Sequence, residues 1–222
     1  MDKWLANTLH ILLIAAVPVI VVLANVRMVM LPWYISVEYD KRSFPPDPHG
    51  FTNPERKHYA RLALDFLRND SGIEFLAQQT FPDGTKLYNE RELRHMEDVK
   101  RVTRLVIQVW ISALTVALSS AAALSWSTET RPLLRSGMMY GSAIVVGIIL
   151  ALSAYMLVNF NSFFTHFHAV LFETGTWVFL YSDTLIRLFP IKFWVDVATI
   201  VAAASIFEGV LLWCWSSSQL MR

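Results

Sequence analysis

The chain has 222 residues, 55% of them apolar, with a mean hydropathy of +0.41; this excludes disorder and suits one compact unit or a small membrane protein. Nineteen Lys plus Arg against eighteen Asp plus Glu leave a net charge of +1, so there is no global positive field to hold a phosphate backbone, and no nucleic-acid partner is expected. The single cysteine, Cys214, rules out an internal disulfide framework and a CxxC pair. Any demanding chemistry has to come from His, carboxylate, Arg or Tyr.

Four apolar runs reach the roughly 20 residues that span a bilayer. In chain order they read as Trp4 to Met30, Leu105 to Ser127, Ser136 to Val158 and Phe193 to Trp215. The first also has features of a cleaved secretory signal, with Lys3 ahead of it and the small Ala24 within it. Its length favours a retained helix. The expected organisation is therefore spans at 1–30, 105–127, 136–158 and 193–215, a short loop at 128–135 and a tail at 216–222.

The insert at 31–104 has a different composition. It carries twelve basic and twelve acidic residues, against seven and six in the remaining 148 positions. Asn53 followed by Pro54 marks a helix start, and Tyr59, Leu62, Ala63, Phe66 and Leu67 recur at helical spacing. The stretch from Phe44 to Phe51, with Pro45, Pro46 and Pro48, reads as an irregular loop. Phe81, Pro82, Asp83 and Gly84 form a turn cluster, and Asn89 with Glu92 three positions on marks a further helix that runs into the second span.

The connection at 159–192 is rich in Phe and Trp yet carries His166, His168, Glu173, Asp183 and Arg187. That mixture suits an interfacial or re-entrant element. The fold class is thus an all-α membrane protein: four transmembrane helices, a helical polar insert between the first and second, and an interfacial or re-entrant segment between the third and fourth. The insert and the connection follow the first and third crossings, which puts them on one membrane face. Charge counting leaves that face undecided.

Among six histidines, three stand out. His95 follows Asn89 on a helix, with Arg91 four positions before and Asp98 three after on the same face. A carboxylate beside an imidazole can hold one tautomer for acid–base work; the all-round charge of RELRHMEDVKR equally fits a solvated salt-bridge helix. His166 and His168, two apart, cannot both face one site from a helix. Ionisable groups at membrane depth tend to mark function, and Glu173 and Asp183 are possible orienting carboxylates. A zinc site built from His95, His166 and His168 has no supporting spacing such as HExxH, and no metal or other cofactor is expected. No Gly-rich phosphate loop and no GxSxG elbow is present. Glu208, inside the fourth span, must face protein or water, and Gly137 with Gly141 form one GxxxG in the third span, pointing to close helix packing.

At YNERELRHMEDVK (Tyr88 to Lys100), at FHAVLF (Phe167 to Phe172) and at DTLIRLFP (Asp183 to Pro190) the chain resembles the Lit family of bacterial lipoprotein intramolecular transacylases. The number of spans, the polar insert and the histidine-bearing connection fall in the same order along nearly the whole chain. The resemblance implies an acyltransferase of the bacterial cell membrane that moves the sn-2 acyl chain of a diacylglyceryl-cysteine to its α-amino group, with the active site on the extracytoplasmic face; this makes 31–104 a helical extracytoplasmic insert, 128–135 a cytoplasmic loop and 216–222 a cytoplasmic tail. Its partners would be a diacylated lipoprotein and membrane lipids. It implies catalytic roles for His95 and His168, since the FHxxLF pattern aligns with His168 rather than His166. Tyr88, Arg91 and Arg42 are candidates for contacts to the substrate carbonyl, and Asp98 for orienting His95. The competing readings are a metal-dependent membrane lipid hydrolase and a non-catalytic sensor or partner-binding module.

Overall fold

A computed structural model describes residues 1–173 and 175–220, the side chains of 219 and 220 excepted. Among the described residues the regular secondary structure is all helical, with a single isolated antiparallel bridge between Thr80 and Lys86. In order the helices are α1 (Lys3–Val29), α2 (Pro32–Tyr39), α3 (Asn53–Arg68), α4 (Glu74–Ala77), α5 (Glu90–Ser125), α6 (Arg131–Val158), α7 (Phe160–Leu171), α8 (Thr184–Leu188) and α9 (Ile191–Leu220). Four of them, α1, α5, α6 and α9, are long and apolar enough to cross a membrane. The tail expected at 216–222 continues α9 as far as Leu220, and residues 221 and 222 lie outside the described ones.

The helix expected from Asn89 and the second span are one helix of 36 residues. At 1.5 Å per residue it is about 54 Å long, well beyond the roughly 30 Å of hydrocarbon. Nine of the fifteen residues from Glu90 to Arg104 are charged, whereas Leu105 to Ser125 contains no charge at all. Only the second part is suited to lipid, so His95 lies in a polar extension outside it. Elsewhere the boundaries move by a few residues. α6 begins at Arg131, five positions before the expected Ser136, because Arg131 and Arg135 flank Leu133 and Leu134 and break the apolar run there. α3 is capped by Thr52 rather than Asn53: the Thr52 hydroxyl accepts from Glu55 N and the Glu55 carboxylate accepts from Thr52 N, a reciprocal capping box with Pro54 in the first turn.

The chain divides into two compact units. The first comprises 1–27, 106–158 and 199–222. Its core joins Leu13, Val17 and Val21 of α1 to Ala117 and Leu124 of α5, Val145 and Ile149 of α6, and Ala202 of α9. The GxxxG pair sits where α6 meets α1. A Cβ on Gly141 would lie 2.7 Å from Val17 Cβ and 3.1 Å from Ile14 O, and one on Gly137 would lie 3.0 Å from His10 and Leu13. Glu208 is partly buried against α1, where Asn25 Nδ2 donates to its carboxylate at 2.8 Å and approaches Ser205 Oγ at 3.2 Å. Such bonds between membrane helices contribute about 0.6 kcal/mol on average; this one also gives an intramembrane carboxylate its donor.

The second unit comprises 28–105 and 159–198. Its core gathers Phe66 of α3, Leu76 of α4, Leu87, Tyr88 and Met96 at the start of α5, and Leu185 and Leu188 of α8. Gly84, at φ +86°, closes the Phe81–Thr85 turn that the Pro-Asp-Gly sequence signals. α2 is held at both ends of the later segment. Tyr39 Oη donates to Leu188 O at 2.5 Å, and Lys41 bridges the Glu38 carboxylate (2.7 Å) and Asp196 (3.2 Å). Arg187 grips the buried Asp47 at 2.9 Å while lying 3.8 Å over the Phe51 ring, so the Pro-rich loop is irregular but fixed.

The α1–α6 contact predicts a paired outcome. Gly141→Ala forces a methyl group against backbone and Val17, and is expected to cost about 1–3 kcal/mol. Gly147→Ala meets nothing within 4 Å and is expected to leave the melting temperature in detergent unchanged or slightly higher. Equal melting temperatures for the two variants would contradict this packing.

Candidate active site

His95 is placed by the capping of α5. Asn89 Oδ1 accepts from the backbone N–H groups of Arg91 and Glu92, both at 3.0 Å, and Glu92 Oε2 accepts from Asn89 N at 2.9 Å. The second oxygen, Glu92 Oε1, accepts from Leu185 N at 2.7 Å in the first turn of α8. Next to it Thr184 Oγ1 donates to Leu87 O at 2.5 Å. Asp183 completes the stitching, accepting from Asn89 Nδ2 at 3.2 Å and pairing with Arg91 at 3.0 Å. Glu92 is 1% exposed. Burial raises its pKa, and the Asn89 and Leu185 N–H groups oppose that rise. One turn further along α5, His95 is carried against the segment between α7 and α8.

His168 comes from α7, a twelve-residue helix capped by Asn159, whose side chain accepts from Ser162 N at 2.9 Å. Phe167 and Val170 of this helix are exposed and His168 is buried. Its Nδ1 lies 2.8 Å from Phe164 O. A carbonyl oxygen only accepts, so Nδ1 carries the hydrogen and the neutral ring is left with a basic lone pair at Nε2.

The two imidazoles, 73 residues apart in sequence, stack with centroids 6.4 Å apart and planes at 22°. Phe172 bridges them, at 5.0 Å from His95 and 5.6 Å from His168. Phe179 packs on His95 at 5.3 Å, while Phe164 (3.9 Å) and Trp177 (5.1 Å) pack on His168. This apolar shell disfavours charge on either ring. Burial, then the neighbouring His168, push His95 down to about 4, with Asp98 opposing. Burial also lowers His168, against the bond to Phe164. Both shifts favour uncharged rings at neutral pH.

The remaining candidates divide. Arg91, one turn before His95, lies over Phe179 at 5.5 Å, so it borders the same shell, and Asp183 fixes it. Tyr88 is buried in the core below with its hydroxyl unpartnered among the described residues, and burial raises its pKa. Asp98 shares the helix face of His95 but makes its hydrogen bond to Arg101, three positions on, and His95 Nδ1 has no partner among the described residues. No hydrogen bond joins the two among the described residues: Asp98 accepts from Arg101 and reaches His95 through its charge alone. Arg42 is exposed after α2 and takes no part in the ring cluster. His166 is exposed on α7, as the two-residue offset requires. Glu173 is exposed, and its carbonyl closes a turn with Thr176. Sequence reasoning passed over Trp177 and Phe179, whose only signal was the unusual aromatic content of 159–192, and quoted Phe172 only as the end of the FHAVLF motif. It read Glu92 as a helix start without foreseeing its bond to Leu185. No group of three or more His, Cys, Asp or Glu side chains is placed to hold a metal ion among the described residues.

The profile described as lipoprotein intramolecular transacylase Lit matches residues 10–194. An uncharacterized protein of Aquifex aeolicus (strain VF5) is 31% identical over 211 residues, which are 92% of this chain and 91% of that one. Among solved structures, the membrane-integral transacylase Lit from Bacillus cereus superposes with a TM-score of 0.69 at 17% identity, covering 98% of this chain and 96% of its own. A histidine-to-alanine variant of that protein gives a TM-score of 0.71 at 18% identity, over 96% and 93% of the two chains.

Two outcomes follow from this geometry. Glu92→Ala strips Asn89 and Leu185 of their acceptor, and is expected to cost about 1–3 kcal/mol; Glu92→Gln, which keeps an acceptor oxygen, should lose less in the same melting experiment. His95 also makes stability depend on pH. An unfolded imidazole takes its proton near 6.5 and the folded one not until about 4. The unfolded state therefore binds more protons across that window, and stability falls as pH drops through it. Melting temperatures measured from pH 7 to 4 should decline more shallowly in His95→Gln than in the natural chain. Parallel curves would show that His95 is not held neutral.

Proposed function

This chain belongs to the lipoprotein intramolecular transacylase (Lit) family, and from that membership we propose how its two imidazoles carry out the family's acyl transfer. Members of the family are acyltransferases. The substrate we assign is a diacylated lipoprotein whose amino-terminal cysteine bears a diacylglyceryl group and a free α-amine, and the product is the lyso form with an amide-linked chain. The supporting observation is the stacked His95–His168 pair, buried among aromatic rings and contributed by two segments that each follow an odd-numbered span in chain order. With the first span entering from inside, both segments lie on the extracytoplasmic side of the cell membrane.

Oxygen-to-nitrogen transfer is downhill and needs no nucleotide. It requires a neutral amine, a proton carrier and a donor for the developing oxyanion. His168, with its Nδ1 hydrogen committed to Phe164 O, offers Nε2 as the base that removes a proton from the α-ammonium group. That first proton passes to water; as the neutral amine bonds to the sn-2 ester carbon, Nε2 takes a second proton from its nitrogen, and the tetrahedral carbon collapses by releasing the glycerol oxygen, which takes that second proton from Nε2 and leaves a neutral amide. His95, stacked beside it and uncharged, can offer an N–H to the developing oxyanion or the leaving glycerol oxygen. Donor and acceptor belong to one molecule, so holding them in attack geometry can supply several kcal/mol of the barrier, with roughly 7–11 as the ceiling in model reactions. Arg91 borders the shell as a further cation for the carbonyl.

The test is conversion of a synthetic diacylated lipopeptide by purified protein, followed by mass spectrometry of the fragment that reports amide acylation. His95→Ala and His168→Ala are each expected to slow conversion by roughly 10²–10⁴-fold, with His166→Ala close to the natural rate. Full activity in both of the first two variants would remove the pair from the mechanism.

A further inference from the structure

Among the described residues, eight buried side-chain nitrogen and oxygen atoms have no hydrogen-bond partner. Three of them belong to one connected cluster: Arg91 Nε, His95 Nδ1 and Trp177 Nε1. Arg91 and His95 both pack on Phe179, His95 and His168 both on Phe172, and Trp177 on His168. Unpaired buried donors are rare in folded proteins. Here they concentrate around the two rings that the transacylase reading already uses.

Trp177 is the informative one. Arg91 has an ion-pair partner in Asp183 through another nitrogen, and a histidine nitrogen can be bare of hydrogen. An indole nitrogen always carries one and can only donate. Packing alone would be served equally by phenylalanine, as it is at positions 164, 172 and 179 around the same rings. A tryptophan whose N–H is turned away from water and from every described acceptor is instead suited to an acceptor that arrives with the substrate.

We propose that Trp177 is a catalytic residue: its indole N–H donates a hydrogen bond to the carbonyl oxygen of the migrating acyl group, beside the base His168. The proposal rests on the acyl-transfer reading above. As the amine nitrogen bonds to the ester carbon, the carbonyl π pair moves onto oxygen and the N–H bond to that oxygen strengthens. No proton leaves the indole. When the tetrahedral carbon collapses, the carbonyl re-forms and the glycerol oxygen departs with the proton held by His168. A neutral donor in an apolar shell is effective here because no water competes for the oxyanion.

The experiment replaces Trp177 by β-(3-benzothienyl)alanine, which keeps the bicyclic shape and puts sulfur in place of N–H, with Trp177→Phe alongside. Both proteins are assayed in bilayers on the diacylated lipopeptide, and the imidazole NMR signals of both are titrated. Loss of one oxyanion donor corresponds to about 10²-fold or more in kcat. The expected result is a loss of that order in the benzothienyl protein, with KM within twofold and the histidine titrations unmoved. A benzothienyl protein at the natural rate overturns the assignment, as does a rate loss that comes with displaced histidine titrations, which would mark Trp177 as a positioning residue. Inactivity of the natural protein on this substrate would instead remove the acyl-transfer reading, and this proposal with it.

Discussion

The buried carboxylate of Glu92 is the contact on which the site depends. One oxygen completes the cap of α5 and the other holds the first turn of α8, 93 residues later in the chain. A side chain doing both has little freedom: the start of α5 is fixed against α8, and His95, one turn on, is fixed with it. Asp183 and Thr184 reinforce the same seam from the other strand of chain, so Arg91 is oriented by the residue that also begins α8. The cost of burying the carboxylate is met by two backbone donors. Few arrangements bring a polar helix and an aromatic connection together so economically.

Once His95 is fixed, the shell around it sets its chemistry. Phe172 and Phe179 exclude water from His95, and Phe164 and Trp177 do the same for His168. Two imidazoles in such surroundings stay neutral, which a group that accepts a proton from an ammonium ion requires. The carbonyl of Phe164 then decides which nitrogen of His168 is basic. Spacing along α7 explains why His166 is not its equal: two residues turn the helix by about 200°, and the ring is carried to the exposed side. In the proposed mechanism the chemistry follows from desolvation and tautomer choice more than from any charged partner.

Much of this was legible in the residues. Hydropathy located four long helices, because a bilayer demands about twenty consecutive apolar residues and few other structures do. The Asn89–Glu92 spacing announced the helix that carries His95, and the quoted motifs singled out His95 and His168. Polar helix ends were less visible. Arg131 opens α6 ahead of the apolar run that marked it, where charge masks the continuity of the helix, whereas the run of the Asn89–Glu92 helix into the second span was legible. The contacts that define the site were not legible at all. Asp98 had the right spacing for His95 yet is paired with Arg101, and nothing local to Glu92 or Trp177 tells of Leu185 or His168. Those are tertiary facts, set by how distant segments meet.

The central claim is an intramolecular move of one fatty chain from glycerol oxygen to the cysteine nitrogen. It is tested most directly with a lipopeptide deuterated only in its sn-2 chain, mixed with an unlabelled lipopeptide of different peptide mass and incubated with the purified protein in vesicles. The account predicts that the heavy chain appears whole, in amide linkage, on the peptide that brought it. Release of deuterated free fatty acid, or heavy chain on the other peptide, would contradict it.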